Sequence, residues 1–118
     1  MDFELERFVK AQDDNDNYQT AIQELENGEK ESHWIWFIFP QMRGLGRSEM
    51  SNRYGICSLY EAYAYLNHEE LRNRLYNAVR TLNEHNYGRD IEYVMGDVDA
   101  MKLKSCLTLF DAVEPGGE

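Results

Sequence analysis

The chain is short of cysteine, proline, positive charge and long apolar runs. Of 118 residues only Cys57 and Cys106 are cysteines, and only Pro40 and Pro115 are prolines. There is no C-x-x-C, and His33, His68 and His85 stand at no metal-ligand spacing, so the residues call for no metal and no cofactor. Two lone cysteines beside a workable core read as buried, reduced thiols of a cytosolic protein, with a disulfide between them left open. The start, Met1-Asp2-Phe3-Glu4, is acidic and lacks the apolar stretch of a signal peptide, so a cytoplasmic setting is expected. The longest strongly apolar run, residues 34–39, falls well short of the ~20 residues a membrane span needs. Twelve basic against 22 acidic side chains give a net charge of −10, which disfavours nonspecific nucleic-acid binding. Neither G-x-S-x-G nor a Cys–His signature occurs, so a conventional hydrolase is not indicated and no catalytic residue is assigned.

What is present is enough for one core. The hydrophobic share is 42% and the aromatic share 13%, too rich for disorder and too short a chain for two ordinary domains. The charge is unevenly placed. Residues 1–31 carry ten acids and three bases, residues 84–118 eight and three, while residues 43–80 carry six Arg against four Glu. Such a middle permits one small anion site. The preferred reading is a solvated surface whose halves attract each other.

Hydrophobic spacing predicts helices throughout. Asp2 caps a short first helix through Leu5, Phe8 and Val9, ending near Gln12. The polar residues 13–17 break it, and Asn17 caps a second, with Tyr18, Ala21, Ile22 and Leu25 on one face and Gly28 as its stop. Residues 34–39 are apolar without period, so helix and strand both remain open until Pro40, with Ser32 as the candidate cap. Ser48 opens a short helix that stops at Gly55. Ser58 with Glu61 forms a capping box ahead of Leu59, Ala62, Tyr63 and Leu66. Asn67 with Glu70 repeats the pattern before the longest helix, through Leu71, Leu75, Ala78, Val79 and Leu82. A short helix spans 90–95, with Gly96 as its stop. Asp97 then caps a last helix whose apolar positions Met101, Leu103, Cys106, Leu107, Leu109 and Phe110 nearly encircle it. The expected architecture is all-α: one domain over 1–118, about six or seven short helices, and a frayed end at 113–118.

Two groups carry candidate chemistry. The first is His33, Trp34, Trp36, Gln41, Arg43, Gly44, Gly46, Arg47 and Ser48. Two large rings beside a glycine-flanked arginine loop can stack a flat group and bind an anion through forked donors and close backbone. The competing reading is two core tryptophans and a tight turn, since the loop matches no phosphate-binding motif. The second is Asp99, Lys102 and Ser105, three apart on one side of the last helix. Lys102 and Ser105 can act as base and nucleophile, but the commoner meaning is an i,i+3 ion pair. Asp13, Asn15, Asn17 and Glu24 match some calcium-loop positions, yet Tyr18 replaces the required glycine, so an acidic connector is preferred.

The block Ser32-His33-Trp34-Ile35-Trp36-Phe37-Ile38-Phe39-Pro40-Gln41, then Gly44-Leu45-Gly46-x-Ser48 and Tyr54-Gly55-Ile56, resembles an uncharacterised bacterial family. It is the domain-of-unknown-function family numbered 1810, some of whose members carry the label calpastatin. Arg7-Phe8, Ala11-Gln12, Glu61-Ala62, Arg74-Leu75, and Asp99 with Lys102-Leu103 and Ser105 extend the likeness over nearly the whole chain. The resemblance implies a mainly helical fold and a bacterial cytoplasm, and brings no catalytic residue. It also implies a serine where this chain has Cys106, and a further helical segment beyond Thr108-Leu109-Phe110 that would complete the fold or a site. The label implies protease inhibition, for which the sequence holds no motif. The expectation is therefore a domain binding a small anionic or nucleotide-like ligand. The alternative is an acidic protein-interaction module without catalytic activity, and neither reading involves nucleic acid or a membrane.

Overall fold

A chain whose apolar residues recur every three or four positions must bury those stripes against one another. The computed structural model, which describes residues 3–44 and 48–114, does so with helices alone. They are α1 (Glu6–Asp13), a 3-10 turn (Asp14–Asp16), α2 (Asn17–Asn27), α3 (Ile35–Ile38), α4 (Glu49–Tyr54), α5 (Leu59–Asn67), α6 (Glu69–His85), α7 (Ile91–Met95) and α8 (Asp97–Val113). With the single turn of α3 set aside, seven helices form one globule of 39 × 32 × 25 Å. Among the described residues there is no strand, only an isolated parallel bridge between Met42 and Ile56. No helix there is long and apolar enough to cross a membrane.

The caps explain most of the boundaries. Ser48 Oγ accepts from Ser51 N and starts α4; Ser58 Oγ accepts from Glu61 N and starts α5. Gly28 ends α2 in the left-handed region at φ 74°, where a side chain would be strained and where Arg89 and Asn86 crowd in. Other boundaries differ from expectation. Asp2 lies outside the described residues, as does 115–118 of the expected frayed end, whereas α8 itself runs to Val113. Asn17 does not cap α2; its amide donates to Ala11 O, after Asn15 and Asp16 reverse the chain at positive φ. The cap of α6 is His68 rather than Asn67: His68 Nδ1 accepts from Leu71 N, while Asn67 donates to Tyr63 O. Gly96, not Asp97, occupies the cap position of α8.

α2 packs along α6, and α5 and α7 pack on α8, with α1 bridging α2 and α3. A run of aromatic contacts joins them: Phe8 meets Tyr65 edge-on at 5.2 Å, Tyr65 meets Phe110 at 5.0 Å, and Phe37 meets Tyr54 at 5.4 Å. Buried Gln12 donates to Phe37 O and accepts from Arg74, so both polar ends of this side chain are paired inside the core. α8 is buried along one stripe, Ala100, Leu103, Cys106, Leu109 and Phe110, and exposes Met101, so its apolar surface is less complete than expected. Both thiols are free. Cys106 is buried, its ionisation pushed up by burial, but Cys57 is exposed, contrary to the expectation for it.

Candidate functional site

The undecided run 34–39 becomes the one helical turn of α3, because residues on both sides anchor it. Ser32 does not cap it. Instead Glu24, buried on α2, accepts from Glu31 N, Ser32 N, Ser32 Oγ and Trp34 Nε1, at 2.5–2.9 Å. Burial pushes the Glu24 carboxyl up, but these four donors together outweigh it and hold the group below the usual carboxylate range. The connection after α2 is thereby fixed, and it delivers Lys30 onto the face of Trp34, 4.8 Å from the ring centre. Lys30 is almost fully buried, donates to Ser32 O, and pairs with Asp99 of α8 at 2.6 Å.

Trp36, two residues beyond Trp34, carries a second ammonium. Lys102 Nζ lies 4.5 Å above its ring and 3.7 Å from Asp99. The two groups that stood 60-odd residues apart in sequence thus meet here. Asp99 sits between two lysines, and each lysine rests on a tryptophan. Trp36 Nε1 is buried without a hydrogen-bond partner. Trp34 is different: it is 1% exposed, its face taken by Lys30 and its edge by Glu24, so it is core and offers no surface for stacking.

The rest of the first group is spread out. His33 is exposed, and the side chain of Gln41 is half-buried. Arg43 is exposed, but its backbone is pinned: Arg43 N donates to Ile56 O at 2.7 Å, and Ile56 N donates to Gln41 O at 2.9 Å. Gly55 presses on the same point, where an added Cβ would come within 2.7 Å of Arg43 Cα. That segment is held in turn by Arg7, which donates to Gly55 O, Arg53 O and the buried Glu61 carboxylate. Gly44 takes φ 99° in open space. Gly46 and Arg47 lie outside the described residues. The Ser48 hydroxyl is committed to capping α4.

In the second group the i,i+3 ion pair is Asp99–Lys102. Ser105 lines a cavity of about 430 Å³ with Met42, Thr108 and Leu109. Glu24 belongs to the Ser32–Trp34 anchor rather than to a calcium loop, and among the described residues no cluster of three or more His, Cys, Asp or Glu could hold a metal.

Sequence reasoning named Glu24 only as a calcium-loop position, missing its anchoring role, and did not single out Lys30. Glu24 had a signal: it stands three residues after Ala21 on the apolar face of α2, where an unpaired acid would be costly. Lys30 had none, since its partners come from α8 and from the turn that Glu24 builds.

The fold and this cluster define an all-helical domain whose charged groups gather where the 30–42 segment crosses its last helix. The family model for a protein of unknown function, DUF1810, matches residues 2–118, and the chain belongs to that family. It is similar to the crystal structure of the conserved hypothetical protein Rv1873 from Mycobacterium tuberculosis. The two share 45% identity and a TM-score of 0.91, over 98% of this chain and 80% of that one. No curated protein matches the chain.

Proposed function

We propose that this domain binds a small anionic, nucleotide-like ligand in a bacterial cytoplasm, at Lys102 where it rests on Trp36, with Arg43 as a second donor. One observation carries the reading. Asp99 is already neutralised by buried Lys30 at 2.6 Å, so Lys102, at 3.7 Å and resting on Trp36, is a surplus cation. A cation held against a ring face at a partly exposed site gains only about 0.5–1 kcal/mol, little enough for an anion to draw it away. Arg43, exposed on a braced backbone, adds a forked donor on the same segment.

The test is a thermal-shift screen of inorganic phosphate, sugar phosphates and nucleotides on the wild type, Lys102→Ala and Arg43→Ala. Binding at a hundredfold excess over the dissociation constant raises stability by about 2.7 kcal/mol. That shift is expected in the wild type and should shrink in both variants. No shift with any anion, or equal shifts in all three proteins, would remove the anion site. The second reading, an interaction module, would then be the better one. It is favoured by Leu59, Tyr60 and Tyr63, which stand exposed together on α5.

A further inference from the structure

A bare anion would use only part of what surrounds Lys102. One helical turn beyond it, Ser105 borders the open cavity of about 430 Å³, which Met42 lines from another segment, with Leu109 and Ala112 among its apolar lining. Its size falls within the range of small-molecule sites, about 300–1,000 Å³. Both walls are firm. One is the 17-residue helix α8, and the other is residue 42, fixed by the hydrogen bonds that tie 41–43 to Ile56.

The charge around the cavity selects further. Lys104 reaches the rim but is paired with Glu92 at 3.0 Å. Thr108 donates its hydroxyl to Lys104 O, leaving Ser105 to present the other hydroxyl. Lys102 before the cavity and Arg43 beside Met42 remain, two cations that match the charge of one phosphate monoester. A triphosphate would bring excess negative charge to a chain already at −10. Three residues separate Lys102 from Ser105, about 4.5 Å along the helix axis, a distance a pentose can bridge. Met42 supplies a polarisable thioether against a flat ring.

Resting on the anion reading above, we infer that the ligand is a phosphate monoester carried on a nucleoside-sized body. The phosphate meets Lys102 and Arg43, and the ring lies between Met42 and the Ser105–Ala112 side of α8. Inorganic phosphate then binds weakly, because it leaves the cavity empty. A nucleoside alone binds weakly because it leaves Lys102 on Trp36.

Calorimetric titration of the wild type with inorganic phosphate, a nucleoside, its monophosphate and its triphosphate tests this. Two variants that fill the cavity, Ser105→Phe and Ala112→Phe, are titrated alongside; position 112 is exposed, so the second is expected to fold normally. The monophosphate should bind the wild type at least about tenfold tighter than phosphate, worth about 1.4 kcal/mol. Both variants should lose that advantage and keep the phosphate affinity unchanged. Equal affinity for phosphate and monophosphate, a preference for the triphosphate, or an undiminished monophosphate affinity in both variants would overturn the inference and leave the anion site standing. No binding of any phosphate to the wild type would overturn both.

Discussion

The two tryptophans show how differently two neighbouring rings can be used. Trp34 donates to a charged carboxylate, whereas Trp36 buries an N–H that has no partner. A hydrogen bond to a charged group contributes about 1.5–3 kcal/mol, and an unsatisfied buried donor costs about 1–3 kcal/mol. Trp34→Phe should therefore lower stability by about 1.5–3 kcal/mol, measured by urea unfolding. Trp36→Phe should change it by less than about 1 kcal/mol, because removing the orphan donor offsets the lost packing. Equal losses would show that packing alone decides both sites. Glu24 adds a pH signature. Its carboxyl lies below its ordinary value of 4.5 in the folded protein, so its contribution is complete above that value and is lost as pH falls through the depressed folded one. Glu24→Gln should be less stable than wild type at pH 7, and the gap should narrow as pH falls below 4.5. A gap that stays constant down to pH 3 would mean that the charge of Glu24 carries none of it. This cluster was half legible in the sequence. Trp36, Asp99 and Lys102 were visible as residue types, but their meeting depends on the turn built by Glu24 and Lys30, which no local spacing encodes.

Among the elements, the 53–57 segment has more bearing on Arg43 than any helix does. Gly55 has ordinary negative φ, so alanine would suit its backbone; what forbids it is the approach to Arg43 Cα and Ser51 O, both at 2.7 Å from the added carbon. Backbone atoms cannot swing aside as a side-chain tip can. Gly55→Ala should cost about 1–3 kcal/mol and should break the Met42–Ile56 bridge first. Amide exchange reads this directly: the N–H groups of Arg43 and Ile56 should lose protection while those of α6 keep it. Unchanged protection at both amides would show that the bridge does not depend on this contact. Helix boundaries were legible wherever a small polar side chain or a glycine has a single local job, as at Ser48, Ser58 and Gly28. They were misread where tertiary contact recruits the expected residue elsewhere. Asn17 turns back to Ala11, Asn67 to Tyr63, and Ser32 to Glu24. Residues 34–39 had no period to read, and their single turn follows from contacts on both sides of the run.

For the whole molecule the question is whether the arginine-rich middle makes a basic surface. The contacts argue against it. Arg74 lies between Asp13 and Glu70 at 2.9 Å each, Arg72 donates to Leu66 O, Arg80 to Asn77, and Arg53 lies against the ring of Tyr54. Arg7, from the acidic first third, reaches the Glu61 of the middle. The first segment and the middle thus meet at Asp13–Arg74 and Arg7–Glu61, and Arg53, Arg72, Arg74 and Arg80 each have a local partner. Phosphate backbones bind through counterions released by free cations, and a net charge of −10 opposes their approach. Random duplex DNA or RNA should therefore bind with a dissociation constant weaker than about 100 μM at ordinary salt, the weak end of nonspecific binding. Fluorescence anisotropy with a labelled duplex, repeated from low to physiological salt, measures both the affinity and its salt slope. Micromolar binding that falls steeply with salt would mean that several arginines leave their partners to form a stripe. The Asp13–Arg74 pairing would then have to be a minor arrangement in solution.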